Sequence, residues 1–140
     1  MAPNTPFWQF ARRSAALALA VSAAAMPVVA QTPGLAMLTT LERGQWQLVD
    51  RDGSSPPRNL CVNDLHMLLQ LQHQGAQCSR YVIDDEPNAV TVHYTCPGAG
   101  HGRTTIRKET SRLVQIDTQG IAGGSPFSYA YEARRTGSCS

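Results

Sequence analysis

Apolar positions follow three rhythms along the chain, and each predicts a different element. From Ser14 to Ala30 they run on with no charge among them. At Leu65, Leu68 and Leu69, continued by Gln72, they recur at helical spacing, which predicts a helix over 63–73 with Asn63 as its cap, Asp64 favouring its N-terminal dipole and Gly75 closing it. Beyond Cys78 the period becomes two. Tyr81 and Ile83 alternate; Val90, Val92, Tyr94 and Cys96 then share one face while Thr91, His93 and Thr95 take the other. Further strands are predicted at 45–50, where Trp46 and Leu48 share a face, and at 103–108, 113–118 and 126–134. In the last, Phe127, Tyr129, Tyr131 and Ala133 point inward. Turn residues at 52–57, at Glu86, Pro87 and Asn88, and in the glycine-rich stretches separate these runs. The expected fold is mainly β, of the α+β kind: a twisted antiparallel meander of about five or six strands with one helix packed on its apolar face.

The first apolar run is a targeting signal by its build. Arg12 and Arg13 precede it, it is 17 residues long where a membrane span needs about 20, and Pro27 breaks it before the small-residue stop Val28, Val29, Ala30. The expected organisation is a signal over 1–30 cleaved after Ala30, a flexible leader over 31–40 and one domain over 41–140, with no stable membrane span after cleavage. This changes the charge picture. The chain carries 12 basic and 10 acidic residues, and removing Arg12 and Arg13 leaves ten of each. A neutral domain without a basic run lacks the electrostatic footprint of a nucleic-acid binder.

Cys61, Cys78, Cys96 and Cys139 remain, an even set in a chain that reads as exported, so two disulfides are expected. Three pairings are possible. Cys61 with Cys78 and Cys96 with Cys139 is the favoured one, the first clamping the helical excursion and the second tying a central strand to the C-terminal end. In the chain-entropy view these loops contribute about 3 and 4 kcal/mol. The intervals of 17, 18 and 43 residues contain no closely spaced ligand pair, so zinc is not expected, and neither is any cofactor.

Candidate chemistry is sparse. His66 and His73 lie seven apart on the predicted helix, about 10 Å along its axis, and with Gln70 they define its solvent face. Gly98, Ala99, Gly100, His101 and Gly102 read as a turn, because a strand follows where a phosphate loop leads into a helix. Gly123, Gly124, Ser125 and Pro126 lack the form of a nucleophile elbow. Asp84, Asp85 and Glu86 lack calcium-loop spacing and read as a solvated turn. Arg103, Arg107, Lys108 and Arg112 gather basic charge around one hairpin, interrupted by Glu109, which allows a contact with anionic lipid or glycan. Only His93 or His101 with Ser125 and Asp117 offers the ingredients of a hydrolase. The aromatic residues Trp46, Tyr81, Tyr94, Phe127, Tyr129 and Tyr131 suggest a packed core or an apolar cleft, and Trp46, Tyr94, Phe127, Tyr129 and Tyr131 are the candidate ligand face.

Taken in order, Gly44-Gln45-Trp46, Cys61 running into Asn63-Asp64-Leu65, Cys78, the strand from Val90 to Cys96 with Pro97 and Gly98 after it, and the closing Gly137-Ser138-Cys139 resemble the family catalogued as domain of unknown function 3617, small exported bacterial proteins. The resemblance covers roughly 40–139. Arg43 stands where the pattern has a proline, and Gln45 where it has an apolar residue. The resemblance implies an envelope location and a cystine-bearing β-rich domain, and no reaction. The expected function is that of an exported periplasmic domain, non-enzymatic, binding or structural, whose partner is an envelope protein or an apolar ligand. A small-molecule or lipid binder using the aromatic face, a hydrolase, and a module acting through an exposed strand edge are the alternatives.

Overall fold

The alternation from Val90 to Cys96 marks one strand of a seven-stranded antiparallel sheet, in a computed structural model that describes residues 34–140. The signal read over 1–30 lies outside the described residues. The strands are β1 (Gly44–Asp50), β2 (Arg58–Val62), β3 (Ser79–Asp85), β4 (Ala89–Cys96), β5 (Gly100–Thr110), β6 (Leu113–Ala122) and β7 (Ser125–Gly137). Their order in space is β2-β1-β7-β6-β5-β4-β3. Strands β3 to β7 are therefore the expected meander, and the hairpin β1–β2 docks beside β7. The expectation of five or six strands missed β2, an edge strand whose exposed Arg58 and Asn59 give no alternation to read.

One face of the sheet is covered. Trp46 and Leu48 of β1, Val90 and Val92 of β4, Ile106 of β5 and Ile116 of β6 bury their side chains in one core. Two short helical pieces close it: α1 (Ala36–Thr39), which contributes Met37 and Leu38, and a 3-10 helix (Leu65–Leu69), which contributes Leu65, Leu68 and Leu69. From Leu35 on, the expected loose leader is thus part of the core, and the amide of Leu35 reaches Asp85 Oδ2 at 3.3 Å.

The predicted helix over 63–73 is corrected to that single 3-10 turn. Its cap is Asp64 rather than Asn63, with Asp64 Oδ1 accepting from the amide of His66 at 3.0 Å. Gln70 leaves the helical region, so positions 70–73 no longer share a face with His66. Both Gln70 and His73 are buried, not solvent-facing as expected.

The disulfide pairing is corrected as well. The bonds are Cys61–Cys139 and Cys78–Cys96. Strand pairing explains both. Gln45 of β1 lies opposite Cys61 on one side and Gly137 on the other, which brings the end of the chain to β2. Ser79 lies opposite Thr95, so Cys78 and Cys96 sit at the open end of the β3–β4 hairpin. All four cysteines are joined, and such bonds persist in oxidising compartments.

Candidate functional site

The inner face of the sheet has an unusual middle. Gly102 of β5 lies opposite Gly120 of β6 and Tyr94 of β4. A Cβ on Gly102 would stand 2.5 Å from the Tyr94 hydroxyl, and one on Gly120 would stand 2.6 Å from the Cα of Gly102. The two glycines thus clear a trough in which the Tyr94 ring lies flat against backbone. The stretch 98–102 is therefore only partly the turn it was expected to be: the turn ends at Ala99, and Gly100 and Gly102 belong to β5.

His73 drops into the same trough. Its Nε2 faces two carbonyl oxygens, Ala99 at 3.2 Å and Ile121 at 3.0 Å, and carbonyls only accept, so Nε2 carries the proton. Nδ1 then accepts from the Tyr94 hydroxyl at 3.0 Å. Burial pushes the Tyr94 hydroxyl above the ordinary tyrosine pKa, with a hydrogen bond from Thr118 acting the other way. Beside it, Thr104 and Thr118 bond each other at 2.8 Å. Gln70 donates to the carbonyls of His73 and Ala76 and accepts from Arg80, which holds the excursion between β2 and β3 on the sheet. Every polar atom named here has its partner, the signature of a structural latch.

The aromatic candidates divide. Trp46 and Tyr94 have almost no exposed surface, and Trp46 Nε1 donates to the carbonyl of Glu42 at 3.0 Å. Tyr131 is buried, with Arg58 over its ring and the Gln72 amide at its hydroxyl. Tyr81 points away from the core and is 71% exposed. Phe127 and Tyr129 remain half-buried, stacked along β7 with Tyr131 at ring separations of 6.2 and 5.4 Å.

That ladder borders an open edge. Strand β7 has 13 residues, but β1 pairs only with its C-terminal part, from Gly137 back to Tyr131. The last rung is the amide of Arg51 on the carbonyl of Ala130, at 2.7 Å. Strand β1 ends there because Asp50 folds the chain into a turn, accepting from Asp52 N at 3.0 Å and Ser54 Oγ at 2.6 Å. Those two bonds, Ser54 first, hold the Asp50 carboxyl below its ordinary pKa. From Ser125 to Tyr129, β7 has β6 on one side and no strand among the described residues on the other. Since Ala130 directs its carbonyl toward this edge, strand alternation directs the N–H and C=O of Ser128 there too.

The remaining candidates assemble no catalytic group: Ser125 follows the inward alternation of Phe127 and Tyr129, whereas Asp117, His93 and His101 lie on the outer face. Asp117 is engaged by Arg51 and by Arg107, the latter at 2.8 Å. Ser125 pairs with Ala122, five residues further along β6 than Asp117, or about 17 Å at strand rise. His93 and His101 meet edge-on at 5.9 Å, and His101 lies opposite Ile121, four residues along β6 from Asp117. Of the four basic residues expected to gather, only Arg103 and Arg107 share this face. Lys108 reaches Thr40 Oγ1 at 2.9 Å, and Arg112 approaches Glu42 at 3.7 Å. Among the described residues, no three His, Cys, Asp or Glu side chains converge as metal ligands.

Sequence reading missed Arg51, Gln119 and Ser128 as members of this surface. The signal was present for two of them: Gly123 and Gly124 both have positive φ, as a two-residue hairpin turn requires, and counting back equally from that turn sets Gln119 opposite Ser128. No family model matches the chain, and no curated protein or solved structure matches it.

Proposed function

We propose that this protein is an exported, non-enzymatic domain of the bacterial periplasm that binds an extended segment of a partner polypeptide along the open half of β7. The observation that carries this reading is the mismatch between a strand of 13 residues and a neighbour that pairs with only its C-terminal half. An incoming strand gains backbone hydrogen bonds at Ser128 and at the carbonyl of Pro126, and its alternate side chains lie beside Phe127 and Tyr129. The missing N–H of Pro126 sets the register by allowing one bond fewer there. Two disulfides, the charge-free run of 14–30 and the resemblance to domain of unknown function 3617 support the periplasmic location through a cleaved signal.

The test is site-specific photocrosslinking from Ser125 in cells, followed by native mass spectrometry of the periplasmic protein without reductant. The expected result is a polypeptide adduct that disappears in Ser128→Pro, on a chain that starts after Ala30. A crosslink yield equal in Ser128→Pro, or a protein recovered only at its own mass, overturns the reading.

A further inference from the structure

A second site lies on the outer face; it shares Ser128 with the open edge, through the hydroxyl rather than the backbone, and rests on other residues otherwise. Register places His93 of β4, Arg103 of β5, Gln119 of β6 and Ser128 of β7 in one row across four strands. All four side chains point away from the core, because their sequence neighbours Val92, Tyr94, Gly102, Thr104 and Thr118 are the inward ones. The row is made of hydrogen-bond donors: an imidazole, a guanidinium, a carboxamide and a hydroxyl, spaced by about 4.8 Å.

The next row differs. From β3 to β7 it holds Asp84, Thr91, Thr105, Asp117 and Ala130. The cleft so formed, of about 260 Å³, is lined by Arg103, Thr105, Asp117, Thr118, Gln119 and Ser128. Its charge is one-sided. Arg51 and Arg107 both bind Asp117, one on each carboxylate oxygen, while among the described residues no acidic side chain lies within ion-pair distance of Arg103. Two guanidiniums thus hold Asp117, and a third, Arg103, lines the same cleft. Asp117 aligns two of the arginines and leaves a net positive field over the donor row.

We propose that this cleft binds a tetrahedral oxyanion, a phosphate or sulfate group carried on a small polar molecule or a lipid headgroup. Arg103 supplies the forked, charge-assisted contact, and Gln119 and Ser128 supply neutral donors from the adjacent strands. The size of the cleft suits the anion and a carrier no larger than one sugar or glycerol unit.

The test is a titration of the mature, disulfide-intact protein, followed by NMR at the Arg103 Nε–H and the Gln119 side-chain amide. The ligands are inorganic phosphate, glycerol phosphate, and vesicles of phosphatidylglycerol against phosphatidylcholine, at constant ionic strength. Saturable shifts at both groups are expected, with affinity at least tenfold weaker in Arg103→Gln and unchanged in Arg112→Gln, which lies by Glu42. Recruitment to anionic vesicles alone assigns the group to a lipid headgroup, and saturation by the soluble phosphates alone assigns it to a free ligand. Shifts that do not saturate, or equal effects of the two substitutions, overturn the proposal in favour of diffuse screening charge.

Discussion

The two faces of the sheet at β5 and β6 put their polar groups to opposite uses. On the inner face His73, Tyr94, Thr104 and Thr118 sit over two glycines, and each ring nitrogen and hydroxyl is bonded within the protein. On the outer face Arg103, Gln119 and Ser128 line a cleft with donors to spare. A satisfied buried network specifies which chain segment packs where; an unsatisfied exposed row is free to meet something else. Polarity alone does not mark a functional site. The fraction of hydrogen-bonding capacity already used does.

Substitutions that fill the trough should break this contrast most severely. Gly102→Ala and Gly120→Ala each force a methyl group into a ring or a backbone, and the expected loss is more than about 4 kcal/mol in urea unfolding, with failure to fold as the extreme. Alanine at Gly123, where nothing lies within 4 Å, pays only for positive φ and serves as the comparison. Next comes Cys61→Ala with Cys139→Ala, whose residues are 78 apart. Losing that loop constraint costs about 4 kcal/mol in the chain-entropy view, against about 3 kcal/mol for Cys78 with Cys96, and paired thermal melts distinguish them.

A third substitution, His73→Phe, keeps the ring volume and removes the ring's bonds to the Tyr94 hydroxyl and to two carbonyls, of which Ala99 keeps the Gly123 amide. It should cost about 2 kcal/mol by denaturant midpoint. At the outer face Asp117→Asn should cost less than about 1 kcal/mol, since its ion pairs are solvent-exposed. A result as large as that for His73 would show the outer cluster to be a structural element too.

Acid and alkali sharpen the same comparison. The Tyr94 pKa is raised in the fold, so its contribution is complete below the ordinary tyrosine value near 10 and is lost as pH rises through the folded value. The Asp50 pKa is lowered, so its contribution is complete above the ordinary aspartate range and is lost as pH falls through the folded value. Urea midpoints across pH should therefore fall at both extremes, with the alkaline limb flattened in Tyr94→Phe and the acid limb in Asp50→Asn.

Local rhythm was legible in the sequence and long-range contact was not. The faces of β4 and β7 follow directly from alternation at Val90–Cys96 and Phe127–Ala133, because one side of each is buried. Leu65, Leu68 and Leu69 suit one turn of 3-10 helix as well as the start of a longer α-helix, so spacing over so few residues could not set the length. His73 was misplaced because the carbonyls that receive it come from residues 26 and 48 positions away, and Gln70 because its acceptors are carbonyls beyond the helical turn, three and six positions on. Gly100 and Gly102 read as part of a turn, whereas they mark where the His73 and Tyr94 rings approach the backbone. The Cys61–Cys139 bridge depended on β1 docking beside β7, which no local pattern records, whereas Cys78–Cys96 follows from the β3–β4 hairpin.

The sulfur connectivity has a consequence for biogenesis. One bridge is nested inside the other, so wherever thiols are oxidised as they emerge from the N-terminus, the first two to appear, Cys61 and Cys78, are wrong partners. Cys61 must stay reduced until the last few residues arrive, or a premature bridge must be reshuffled by thiol attack. Maturation of this small domain thus calls for an isomerase-type helper, or for oxidation delayed until synthesis is nearly complete.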